Sequence, residues 1–166
     1  WYAQQHGTRG WRRLMRHLRW VGRAPRRYLA MLALAWRYKH EGLGQAFRDC
    51  VDYAQIIRAS DTTWIHAHFA DRACDVALLV SGLTGVPFSF TVHAYDLYAR
   101  PRLLSLKMRR ASRVITISEA NRQALRGLAG DLPHDRIELI HCGVDLAAWP
   151  MQAPSPHAGG LHILAV

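Results

Sequence analysis

The chain has 166 residues, half of them hydrophobic, which is enough for one ordinary domain with its own core and excludes a disordered chain. Its formal charge of +10 is unevenly spread: residues 1–40 hold ten of the 22 Lys and Arg and no Asp or Glu, leaving twelve basic and twelve acidic residues in the remainder. Any electrostatic argument about partners therefore concerns that first segment alone.

Trp11, Leu14, Met15, Leu18 and Val21 recur at helical spacing, with Arg12, Arg13, Arg16, His17 and Arg19 between them, until Gly22 and Pro25 interrupt. This predicts a short basic amphipathic helix. A second helix is expected from about Arg26 to Lys39. A third, from Leu43 to Ala59, rests on Leu43, Phe47, Cys50, Val51, Ala54 and Ile57. The longest apolar stretch, Tyr28 to Trp36, is well short of the ~20 residues that span a bilayer.

From residue 60 short apolar runs alternate with helical patterns: strand Thr63 to Phe69, helix Arg72 to Leu83, turn Thr84-Gly85, strand Phe88 to Val92. The alternation continues through helix Leu103 to Ala111, strand Arg113 to Ile117, helix Glu119 to Ala129 and strand Arg136 to Ile140. Such a pattern predicts an α/β fold, a Rossmann-like parallel sheet with helices on both faces. Pro150, Pro154, Ser155, Pro156 and Gly159-Gly160 read as a linker, and Leu161 to Val166 as the first strand of another domain.

The domain reading is thus a basic helical segment over 1–42, a partial Rossmann-like domain over 43–150, a linker over 151–160 and a strand of a truncated domain over 161–166. A start at Trp1 and an apolar finish without a cap make a piece cut at both ends the expectation. Cys50, Cys74 and Cys142 are odd in number and far apart, which argues against a disulfide framework or structural zinc and for a reducing, cytosolic setting.

In open α/β sheets, ligands bind beyond the carboxyl ends of the strands, so polar residues there are the candidates. The run Val86 to Val92 ends in His93, with Tyr95 and Asp96 just behind. Asp96 could close the loop, fix a histidine tautomer or accept from a sugar hydroxyl. His66 and His68 share one face of their strand; His68 lies at the carboxyl end, whereas His66 reads as a satisfied structural histidine, and no third ligand at a clear spacing makes a metal site. Ser118-Glu119 opens a helix after a strand, as an N-cap or as a place for an anionic or polyhydroxylated ligand. Gly143 follows the last strand, as a turn glycine or as a point of close backbone approach. No G-x-G-x-x-G, G-x-x-x-x-G-K-[ST] or G-x-S-x-G occurs.

The ordered set Ile65-His66-Ala67-His68-Phe69, Gly85 to Asp96, Val114 to Glu119 and Ile140 to Leu146 resembles the amino-terminal domain of family-four, GT-B-fold glycosyltransferases. The likeness is close over residues 43–166 and loose over 1–42. It implies two Rossmann-like domains across a cleft, and retaining transfer of a sugar, of hexosyl type, from a nucleotide-diphosphate sugar to an acceptor hydroxyl, in bacterial polysaccharide or glycolipid synthesis. Metal is not required in that group, and no cofactor beyond the donor substrate is implied. His93, the expected catalytic residue, matches a histidine near the transferred sugar, and Gly143 matches a loop that closes the cleft floor. His68, Tyr95, Asp96, Ser118 and Glu119 join Gly143 as expected substrate-binding positions. The family's glycine-rich first strand and its second domain would lie outside this chain, so the chain alone is expected to be inactive.

The implied partners are a nucleotide sugar and a saccharide or lipid-linked acceptor. The Trp/Arg-rich start fits an interfacial helix on an anionic membrane surface through residues 9–27, which would make the protein cytoplasmic and peripheral on the inner face of the cell membrane. It fits equally a helix packed on the sheet with a solvated arginine face. A nucleic-acid module would use the same arginines, but the rest of the chain is charge-balanced and lacks an aromatic RNA-binding signature, so no nucleic-acid partner is expected. A GT-B-fold epimerase or phosphorylase-like enzyme would share the cleft, and fold alone does not separate these.

Overall fold

The computed structural model describes residues 10–130, 133–145, 147 and 148. The expected linker over 151–160 and strand over 161–166 lie outside the described residues. Helices α1 (Gly10–Arg23), α2 (Pro25–Arg37) and α3 (Leu43–Ala59) precede an alternating run of β1 (Ile65–His68), α4 (Arg72–Thr84), β2 (Phe88–Val92), α5 (Leu104–Arg110), β3 (Arg113–Thr116), α6 (Glu119–Ala129) and β4 (Ile137–Leu139).

The four strands form one parallel sheet in chain order, with Ile65 opposite Phe88, Phe90 opposite Val114 and Val114 opposite Ile137. Sequential order with right-handed crossovers sets α4, α5 and α6 on a single face. That face carries Ala67, Phe88, Phe90, Val92, Val114 and Ile137, all buried. The opposite face carries His66, His68, Ser89, Thr91 and Arg113, of which only Ser89 and Thr91 are buried. The helical cover the sequence predicts for both faces is therefore seen, among the described residues, on the Phe90 side.

Local chemistry sets the element ends. Asp71 caps α4 by accepting from the Ala73 amide at 2.9 Å, and Gly85 ends the helix at φ 84°. Pro25 sits at the first turn of α2, where its missing N–H costs nothing. Helix α4 is buried nearly all round, from Cys74 to Leu83, because the sheet lies on one side and α2 and α3 on the other. A side chain at Gly82 would run into Met31, so α2 crosses α4 where only glycine leaves room.

Helix α1 docks by charge. Arg16 pairs with Asp52, and Arg13 lies 3.9 Å from both Asp49 and Asp52. His17 Nδ1 meets the Tyr28 hydroxyl at 3.0 Å and its ring packs on Phe47. Trp11, Leu14, Leu18 and Val21 are consequently exposed. Arg13 and Arg16 turn to α3, Arg12, Arg19 and Arg23 stay exposed, and most of the apolar stripe faces out.

Candidate active site at the carboxyl edge of the sheet

β1 and β2 end side by side, and their last residues build the site. Thr91 lies opposite His68, so His93, two residues on, falls on the same face just beyond the ladder. The His68 and His93 ring centroids are 4.8 Å apart, and Phe69 closes the group at 4.8 Å from His68 and 4.5 Å from His93. His93 Nε2 is shut off from solvent and has no hydrogen-bond partner among the described residues. A buried nitrogen without a partner costs about 1–3 kcal/mol.

Phe69 stands at φ 73°, one of two non-glycine residues with positive φ among those described. That conformation costs about 1–2 kcal/mol and persists only where the surroundings impose it. They do so through the next peptide. The Ala70 N–H donates to Asp96 Oδ2, and the Ala70 carbonyl accepts from Lys107 Nζ at 2.6 Å. Lys107 also donates to the carbonyls of Asp71 and Arg102, and pairs with Asp75 at 2.8 Å. Lys107 and Asp75 are both fully buried, and Arg102 completes the pair from the surface side by reaching Asp75 and the Glu41 carbonyl.

Asp96 is 4 % exposed, and its second oxygen accepts from the His93 amide at 2.8 Å. Both oxygens are thus engaged by backbone, which ties the ends of β1 and β2 together rather than orienting the His93 ring. Asp96 thus closes the loop, one of the readings its sequence position offers, with two convergent amides on its carboxylate, and it also lines the cleft that Tyr95 borders. Tyr95 opens a wide five-residue turn, Tyr95–Ala99, and is exposed beside Phe69, Arg72, Arg100 and Arg102 on a cleft of 680 Å³.

His66 is satisfied on both nitrogens, by Ser89 Oγ at 2.8 Å and Thr91 Oγ1 at 3.1 Å, and Trp64 Nε1 also donates to Ser89. Partial burial, and then the neighbouring charge of His68, hold its pKa below the ordinary value. It is structural, as its sequence position suggests. Among the described residues, no three His, Cys, Asp or Glu side chains converge as a metal site.

The remaining candidates stand at the ends of the next strands. Ser118 caps α6 by accepting from the Asn121 amide at 3.2 Å, and Glu119 pairs with Arg122 at 2.6 Å. Gly143, after β4, is not among the glycines with positive φ, and among the described residues nothing lies within 4 Å of where a β-carbon would stand. His141 Nδ1 donates to the Ile117 carbonyl at 3.0 Å and fixes the start of that loop against β3.

Phe69, Asp75, Arg102 and Lys107 escape sequence reasoning. The available signal was a lysine and an aspartate placed on otherwise apolar helical faces, between Leu106 and Met108 and between Cys74 and Ala77.

A parallel α/β sheet whose polar groups gather beyond the carboxyl ends of its strands defines a Rossmann-like, ligand-binding domain. A family model described as Glycosyltransferase Family 4 matches residues 3–148, and the chain belongs to that family. It is a transferase domain, acting between a sugar donor and an acceptor. No curated protein and no solved structure gives a significant match.

Proposed function

We propose that this domain forms the acceptor-side wall of a retaining glycosyl transfer, in which a hexosyl group passes from a nucleotide-diphosphate sugar to an acceptor hydroxyl. The bond from the anomeric carbon to the diphosphate breaks, the acceptor oxygen takes its place on the same face of the ring, and the hydroxyl proton is released. His93 carries the reading. Its Nε2 is closed off from solvent at the strand edge without a partner among the described residues, and a hydroxyl of the transferred sugar would satisfy it once the site is occupied. His68 and Phe69 fix the plane of the His93 ring, and Asp96 fixes its backbone. Tyr95, Ser118, Glu119 and Gly143 complete the edge, with no cofactor beyond the donor substrate and no metal.

The acceptor is a saccharide or lipid-linked sugar of bacterial polysaccharide or glycolipid synthesis. We place the reaction at the inner face of an anionic membrane, approached through residues 9–27. Among the described residues, no helix is long and apolar enough to cross a membrane.

Saturation-transfer NMR of the chain with UDP-glucose and GDP-mannose as probes tests the site. Sugar-ring protons should receive saturation from the protein, and His93→Ala should abolish the effect while Gly143→Ala leaves the fold intact. Saturation confined to the nucleotide, or unchanged in His93→Ala, would remove His93 from the sugar site.

A further inference from the structure

We infer that α1 and α2 together form a membrane-docking face, in which the apolar stripe on α2 inserts beside that on α1 and the arginines of α1 and α3 hold anionic headgroups. This deepens, and rests on, the reading that places the protein at an anionic membrane through residues 9–27. The new element is α2, together with the reason both stripes face outward.

A helix that packs on a domain ordinarily turns its apolar stripe to the core. Here α1 does the reverse, because Asp49 and Asp52 of α3 draw Arg13 and Arg16 inward. Trp11, at 68 % exposed, and Leu14, Leu18 and Val21 are left outside. Helix α2 buries Tyr28, Met31 and Ala35 and leaves Leu29, Leu32 and Trp36 exposed, Trp36 at 70 %. Two adjoining helices, each about 20 Å long, thus both present leucine and tryptophan to the outside.

Charge identifies the occupant. Arg19, Arg23 and Arg58 line a 390 Å³ cleft with Trp20 and Gln55 where α1 and α3 end, and none of the three has a carboxylate partner among the described residues. Residues 1–40 contain no Asp or Glu, so nothing in that segment repels an anionic surface. Lys39 lies 4.2 Å from the Trp36 ring centroid, a cation beside the residue best suited to the headgroup level. Apolar side chains flanked by unpaired guanidiniums match the boundary between phosphate headgroups and acyl chains.

Flotation of the chain with vesicles of phosphatidylcholine, alone or mixed with phosphatidylglycerol, tests the proposal. Binding is expected to the mixed vesicles only. The triple variant Leu29→Ser, Leu32→Ser, Trp36→Ser should raise the lipid needed for half-binding by about tenfold or more, while its circular dichroism stays that of the parent because the three side chains are exposed. Arg19→Gln, Arg23→Gln, Arg58→Gln should abolish the preference for phosphatidylglycerol. Mixed-vesicle binding that ignores the α2 variant would overturn this inference and leave the residues 9–27 reading standing. Absence of binding to any vesicle would overturn both, and a lipid-free dimer dispersed by the α2 variant would assign the face to a second copy instead.

Discussion

Lys107 and Asp75 form an ion pair at 2.8 Å with both side chains buried, and the lysine's hydrogen bonds go to three loop carbonyls. Removing one partner of a buried pair leaves the other charge uncompensated, at about 3–5 kcal/mol. Lys107→Met should cost about that much in urea unfolding, toward the lower end because Arg102 still reaches Asp75. Lys107→Met combined with Asp75→Leu should recover part of the loss. A single variant as stable as the parent would show that the pair holds nothing.

Asp96 joins the amides of Ala70 and His93, which belong to different strand ends. Hydrogen bonds to a charged group contribute about 1.5–3 kcal/mol each, so Asp96→Ala should lose about 3 kcal/mol and Asp96→Asn less, since one carbonyl oxygen still accepts. In both, the His93 ring resonances should move in a proton–nitrogen spectrum. Unmoved resonances would detach Asp96 from the positioning of His93.

Phe69 opposes two effects. Its left-handed backbone is strained, and its ring supports His93. Phe69→Gly releases the strain and should stay within about 1 kcal/mol of the parent in stability, whereas Phe69→Ala keeps the strain and should be the less stable of the two. Both should weaken binding of a sugar probe. Equal stability of the two variants would mean that residue 69 is not held in that conformation.

His17 ties stability to pH. Burial against Tyr28 and Phe47, opposed in part by Asp52, keeps its pKa below the ordinary 6.5. The unfolded chain therefore takes up a proton that the folded one resists, so the contribution is complete above about 6.5 and lost as pH falls below it. His66 shifts the same way and adds to the slope. Thermal melting should show a falling Tm from pH 7.5 to 5, and His17→Gln should flatten the curve. A slope identical in His17→Gln would assign the effect elsewhere.

Much of this was legible where the cause is local. Leu43–Ala59, Phe88–Val92 and Glu119–Ala129 begin and end at the residues that periodicity and capping predict. Strand ends were less so. β1 stops at His68 rather than Phe69 because Phe69 leaves the extended region, and β3 stops at Thr116, with the Ile117 carbonyl turned to His141. The turn Tyr95–Ala99 and the inward pull on Asp96 depend on an amide 26 residues away, which no local pattern carries. The same holds for α1. Its periodicity is plain, but which side faces in is decided by Asp49 and Asp52 on another helix.

Because the strands follow one another in chain order, each stretch of the working edge hangs from its own strand and returns through its own helix. The wide turn at Tyr95–Ala99 closes on itself, the Arg100 amide reaching the Tyr95 carbonyl at 3.0 Å. Its exposed tyrosines, Tyr95 and Tyr98, can therefore be exchanged without disturbing the peptide clamped between Asp96 and Lys107. One short turn thus carries both the exposed tyrosines and, in Asp96, the carboxylate that holds the ends of two strands together.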